Sequence, residues 1–113
     1  MLSYWIRDER NRKIGYIVAG IVQNPDDGEF YVNVDYSYCG GEDRFDPVFA
    51  QNLAKERCIN AAFRKKRIRG AIHPSVYDDY GYMVNRALKY YRGGKPSPKV
   101  QKFLDDLSHA EVM

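Results

Sequence analysis

Apolar and polar residues alternate with the period of a strand over the first forty positions of this chain and with the period of a helix after them. Tyr4-Trp5-Ile6 reads as a short first strand that ends in the polar turn Asp8 to Arg12, Lys13 to Gln23 as a second, and Glu29 to Cys39 as a third. Between the last two, Asn24-Pro25-Asp26-Asp27-Gly28 is a turn, because proline fixes φ and Asp-Gly accepts positive φ. In the second strand Ile14, Tyr16, Val18, Gly20 and Val22 alternate with Gly15, Ile17, Ala19 and Ile21, so both faces are apolar or small and both need a cover. One cover is the long helix; the other is a C-terminal helix or a second copy of the chain. In the third strand Phe30, Val32, Val34, Tyr36 and Tyr38 form an apolar face against the hydrogen-bonding face of Tyr31, Asn33, Asp35, Ser37 and Cys39.

Asp46 followed by Pro47 specifies a helix start, since the carboxylate accepts from the free N–H groups of the first turn and proline has none to leave unpaired. The pattern carries this helix from Pro47 to about Arg67, with Gly70 as its stop. His73-Pro74-Ser75 opens a second helix that runs to about Arg92, with Ser75 and Asp78 as a capping box. Gly93-Gly94-Lys95-Pro96 breaks it, and a third helix with Val100, Phe103, Leu104 and Leu107 on one stripe starts at Ser97-Pro98. The expected fold is α+β: a three-stranded antiparallel meander followed by a long helix and two C-terminal helices. The expected organisation is a single domain over 1–113, with the sheet in 1–40 and the helical part in 46–113.

Composition adds exclusions. With 113 residues, 44% hydrophobic and 29% charged, the chain has the make-up of a globular domain. No apolar run approaches the roughly 20 residues of a membrane-spanning helix, and the first residues lack the basic-then-apolar order of a secretory signal, so a cytoplasmic location and no membrane partner are expected. Cys39 and Cys58 have no metal spacing and read as small buried thiols. His73 and His109 lack the neighbours of a catalytic base, the paired carboxylates fall at turns and helix starts, and no phosphate loop or nucleophile elbow occurs. A non-catalytic protein without cofactor or metal is expected.

Charge singles out one region. A net charge of +3 is mild, but seven cations fall between Lys55 and Arg69 against only Glu56. On the long helix Arg57 falls among Ala50, Ala54 and Ala61, beside Phe49 and Leu53. A guanidinium there needs a partner: a carboxylate such as Asp43, a carbonyl, or an anionic ligand, unless its head reaches water at the edge of the stripe. Arg64 lies two turns on. The candidate binding residues are therefore Arg57, Arg64, Phe45, Asp43, Asn60 and Tyr38, near Ser37 and the Gly40-Gly41 loop. Arginine forks suit phosphates and aromatic rings stack on bases, so the ligand class is a nucleotide. The alternative is that Phe45 is a hydrophobic staple and Asp43 only pairs with Arg57.

The order Ser37-Tyr38-Cys39, Asp43-Arg44-Phe45, then Ala54 and Arg57 resembles phage anti-Thoeris sponges, small proteins with an antiparallel sheet before helices. Gly40-Gly41 and Ala50 stand where many of those proteins have Asn-Pro and a helix glycine. The resemblance implies a homo-oligomer that sequesters a cyclic nucleotide or a cyclic ADP-ribose-like immune signal without degrading it, in a host-cell cytoplasm. It implies contact roles for Arg57, for Phe45 and for Phe30 on the third strand. Two rival expectations stand beside it. One is an inhibitor that docks on a host defence enzyme through Tyr80, Tyr82, Tyr90, Tyr91 and Arg92, since tyrosine and arginine are enriched at interfaces. The other is a nucleic-acid-binding module acting through Arg64 to Arg69.

Overall fold

The computed structural model describes residues 1–39, 44–63 and 72–112, with side chains as far as His109. Three strands, β1 (Leu2–Arg7), β2 (Lys13–Gln23) and β3 (Phe30–Tyr38), form an antiparallel meander. Its two turns are built as their residues dictate. Asp8 accepts from the backbone N–H of Arg10 and Arg12, and Asn11 takes φ of 63°. Asn24 accepts from the N–H of Asp26, Asp27 accepts from that of Glu29, and Gly28 takes φ of 71°.

The meander is not the whole sheet. A fourth strand, β4 (Lys95–Pro96), lies parallel to β3 in the order β1-β2-β3-β4, where the sequence predicts only a helix breaker. Proline is tolerated there because β4 is an edge strand of two residues. Gly94 permits the approach: a Cβ on it would lie 2.7 Å from Cγ2 of Val32.

Both faces of β2 are covered, and by the same chain. Ile17 and Ala19, with Ile6, Val32 and Val34, pack under Val76, Tyr80, Met83, Val84 and Ala87 of the second helical segment, joined by Val100 and Phe103 of the last helix. These elements are a short 3₁₀ turn (Pro74–Val76) leading into α2 (Tyr77–Tyr90), and α3 (Pro98–Val112). The expected Ser75–Asp78 capping box is replaced by His73, whose Nδ1 accepts from the Ser75 N–H at 3.1 Å, because the first turn is 3₁₀ and its cap sits one residue before Pro74. The other face of β2, Tyr16 and Val18, meets Ala54 and Cys58 of α1 (Pro47–Asn60).

Helix α1 begins as predicted, with Asp46 accepting from the Phe49 N–H at 3.1 Å and Pro47 in the first turn. It ends at Asn60 rather than near Arg67, with Ala61 outside helical geometry as its C-cap and Phe63 edge-on to Tyr31 at 5.3 Å. Residues 64–71, which include Gly70, lie outside the described residues. The small side chains Ala50, Ala54 and Cys58 bring α1 close onto β3, and the alternation of β3 supplies what a close polar contact requires. Ser37 Oγ donates to the Ala50 carbonyl at 2.8 Å, and Asn33 Nδ2 donates to the Cys58 carbonyl at 2.8 Å. Buried polar groups are tolerated where they are bonded in this way.

Candidate functional site

A cleft of about 220 Å³ opens between the end of β3 and the start of α1. Ser37, Tyr38 and Cys39 form one wall, and Arg44, Phe45, Asp46, Phe49, Ala50 and Leu53 form the other. The helix start fixed by Asp46 and Pro47 sets Phe45 just before the first turn and Phe49 within it, and both rings line the cleft. Phe49 is 64% exposed, on a helix whose buried residues are Ala50, Ala54 and Cys58. Phe45 is half-buried, edge-on to Trp5 at 6.1 Å. Trp5 in turn touches Tyr16 at 4.7 Å and carries the Lys13 ammonium 4.3 Å above its ring. Arg44 at the rim is exposed. Asp46 and Ser37 already hold the helix start and the Ala50 carbonyl, which leaves rings and a guanidinium as the groups this cleft presents.

The candidate residues do not all gather here. Tyr38 lines the cleft, while its ring stacks on His73 at 4.2 Å. Arg57 lies one helix turn beyond Leu53 and reaches back toward the helix N-terminus, as helical side chains do, to donate from Nη1 to the Tyr36 carbonyl at 3.0 Å. Of the partners open to it in sequence, Arg57 has taken a carbonyl; its Nε is buried and has no hydrogen-bond partner among the described residues. Asn60 is exposed at the far end of α1. Phe30, 57% exposed, starts β3 about 27 Å from Tyr38 at the rise of an antiparallel strand. It belongs to the opposite end of the molecule. Asp43 and Arg64, and with them the Gly40-Gly41 loop and the basic run to Arg69, lie outside the described residues.

Arg44, Phe49 and Leu53 are cleft residues that sequence reasoning did not single out as ligand-binding. The available signal was the pair Phe45 and Phe49 astride a capped helix start, which puts two rings on one side of the first turn.

A second, wider cleft of about 610 Å³ is lined by Arg7, Arg10, Arg12, Asp8, Glu9 and Asp78, with Tyr38 on its wall. Its charges are largely answered within the turn itself: Arg12 Nε bonds Asp8 at 2.9 Å and Arg7 donates to the Asn11 carbonyl. Asp8 is held below the usual carboxylate range, first by the backbone N–H of Arg12. Among the described residues no group of three or more His, Cys, Asp or Glu side chains is placed to hold a metal ion, and no helix is long and apolar enough to cross a membrane.

The tyrosines of α2 divide. Tyr82 and Tyr90 are 58% and 67% exposed, whereas Tyr80 is fully buried and donates to the Val34 carbonyl at 2.9 Å, so it is a core residue and not an interface anchor. Tyr80 lies on the face of α2 that meets the sheet, with Met83, Val84 and Ala87. No protein-family model, curated protein or solved structure matches this chain.

Proposed function

We propose that this protein binds a small nucleotide-type anion in the cleft between β3 and α1 and holds it without chemical change, as a phage-type anti-defence sponge does. The observation that carries the reading is the pairing, in one cleft, of the Phe45 and Phe49 rings with the exposed Arg44 guanidinium. Aromatic faces take a base by stacking, and a guanidinium takes a phosphate through parallel hydrogen bonds. At about 220 Å³ the cleft is below the roughly 300–1,000 Å³ of sites that enclose a whole drug-sized ligand, so it suits one base, with the sugar and phosphate lying outward toward Arg44. The ligand class that follows is a cyclic nucleotide or a cyclic ADP-ribose-like signal.

The test incubates the purified protein with a panel of cyclic nucleotides and cyclic ADP-ribose isomers, removes free ligand, denatures the protein and identifies what is released by mass spectrometry. Release of one intact nucleotide is the expected result. An empty filtrate across the panel, or release of a cleaved product, overturns the reading.

A second reading has its own observation. The rings of Tyr82 and Tyr90 on α2 and the side chain of Arg92 just beyond its end are exposed, and such aromatic and basic groups suit a protein partner such as a host defence enzyme. Recovery from host lysate of a stoichiometric protein, lost in Tyr82→Ala and Tyr90→Ala variants but retained in Phe45→Ala, is the outcome that favours it over the cleft.

A further inference from the structure

The two edges of the sheet are treated in opposite ways. On the β3 side each outward carbonyl of the central stretch is occupied: Val32 accepts from the Ser97 N–H at 2.9 Å, Val34 from Tyr80 Oη at 2.9 Å and Tyr36 from Arg57 Nη1 at 3.0 Å. The outward N–H of Tyr36 donates to Asp35 at 2.8 Å, and that carboxylate also holds Lys99 at 2.8 Å. These side chains close the edge to any further strand.

The β1 edge carries none of these devices. Cys39 donates to the Ile14 carbonyl, which fixes the alternation across the sheet: even-numbered residues of β2 bond to β3 and odd-numbered ones to β1. With Ile17 opposite Tyr4 and Tyr16 opposite Trp5, it is Ser3 and Trp5 of β1 whose backbone N–H and C=O groups turn outward. Among the described residues nothing bonds to those outward groups. From Leu2 to Ile6 the strand has no charge, no proline and no bulge; the register shifts only between Ile6 and Arg7. Ser3 is exposed and Trp5 half-buried beside it.

We propose that two copies of this chain pair through β1, antiparallel about a two-fold axis at Tyr4, so that the two sheets become one continuous sheet. The occupant is a second copy because the strand is complementary to itself in this register. Ser3 of one copy lies opposite Trp5 of the other, and these are the residues with free outward groups on both. Leu2 meets Ile6 on the α2 side, and the two Arg7 side chains stand at opposite ends, so no like charges face each other. The pairing uses the backbone edge of β1 and none of the residues that line the cleft, although Phe45 of the cleft packs edge-on to Trp5.

Sedimentation velocity on the full chain over a range of concentrations is the first test, and a dimer is expected. Ser3→Pro removes an outward N–H that serves no bond within the chain, and it weakens dimerisation at least about tenfold while the far-ultraviolet circular dichroism is unchanged; Ser3→Ala keeps that N–H and stays dimeric. Where Ser3→Pro fails to fold, cross-linking decides. Tyr4 faces its own copy in a close, non-hydrogen-bonded pair, so under mild oxidation Tyr4→Cys gives a covalent dimer through the introduced thiol, whereas Ser3→Cys does not. A chain that is monomeric at every concentration, a folded Ser3→Pro variant that remains dimeric, or cross-linking at position 3 and not at position 4 overturns the proposal.

Discussion

Arg57 Nη1 donates to the main-chain carbonyl of Tyr36 at 3.0 Å, on the outer side of β3, where β4 pairs only with Tyr31 and Val32. The bond ties the last turn of α1 to the outer edge of β3, so Arg57 has a structural duty whatever else it contacts. Arg57→Ala leaves that carbonyl to water and lowers stability by about 1–2 kcal/mol, measured as a shift in the urea midpoint; Arg57→Lys recovers part of it. An unchanged midpoint in Arg57→Ala removes the structural role. The consequence for binding is specific: a loss of ligand affinity in Arg57→Ala counts as a contact effect only where it exceeds what Arg57→Lys shows at equal stability.

Asn33 is fully buried between α1 and the start of α3. It donates to the Cys58 carbonyl and accepts from Ser97 Oγ at 2.7 Å. Asn33→Ala removes the donor to the Cys58 carbonyl and the acceptor of the Ser97 hydroxyl, whose oxygen still accepts from the Val100 N–H, and costs about 2–3 kcal/mol; Asn33→Asp sets a carboxylate against the Cys58 carbonyl and costs more. Denaturant unfolding of the two variants checks the order. Equal stability of Asn33→Asp and the natural chain contradicts it.

Gly15 tests the packing of the meander. A Cβ there would lie 2.3 Å from the Ser37 carbonyl oxygen, and that oxygen is backbone and cannot step aside. Gly15→Ala therefore destabilises by about 1–3 kcal/mol, through strain in β2 and β3 beside the cleft. Thermal unfolding shows this as a drop of several degrees, while Ser37→Gly in the same background, which leaves the carbonyl in place, gives no rescue.

What was legible in the sequence were the features set by strong local chemistry. The strands of the meander, both its turns, and the start of α1 follow from alternation, Asn and Asp at turns, and Asp46-Pro47. The double covering of β2 was legible as well, and the structure assigns the second cover to α2 and α3 of the same chain. The end of α1 was not, because an alanine and basic run sustains a helical pattern past Asn60 even where tertiary packing of Ala61, Ala62 and Phe63 ends the helix. Strand β4 is two residues long, shorter than any period, and its signal is the missing Cβ of Gly94. The candidate site dispersed for a related reason. Helical spacing brought Arg57 onto the right face, but only the structure shows that its head group ends on Tyr36, one residue short of the cleft's Ser37, and that Phe30 stands at the far end of the same strand.

The buried acids set an alkaline limit on the fold. Burial, then the charge of Asp35, pushes the Cys58 thiol up to about 12, and burial holds Tyr80 well above its ordinary range. Tyr4 is raised by burial and by its hydrogen bond to Asp79. In the unfolded chain these groups ionise near 8.5 for the thiol and near 10 for the phenols. Each therefore contributes stability that is fully present below its unfolded pKa and is lost as pH rises toward the folded value, at about 1.4 kcal/mol per pH unit for the buried Cys58 and Tyr80 and by less for the half-buried Tyr4, whose charge water screens. The urea midpoint is expected to be insensitive to these groups up to about pH 8 and to fall steadily above pH 9, and the Cys58 thiol to be inert to a thiol reagent at pH 8 unless urea is added. A midpoint that holds to pH 11 contradicts the assignment.

The cleft makes a prediction that separates it from a nucleic-acid surface. Phe45→Ala removes a stacking ring and Arg44→Ala a phosphate fork, and each is expected to weaken nucleotide binding about tenfold or more, read by calorimetry with the ligand identified from the filtrate. Phe45 also touches Trp5, so Phe45→Ala carries a small stability cost, whereas Arg44 is exposed and its replacement leaves the urea midpoint within about 0.5 kcal/mol. The salt dependence follows from the same geometry. One guanidinium on one phosphate gives a shallow decline of affinity with ionic strength, with a slope near that of a single contact, and Arg44→Ala flattens it further. A steep slope that survives Arg44→Ala assigns binding to a run of cations elsewhere, and the cleft is then not the site.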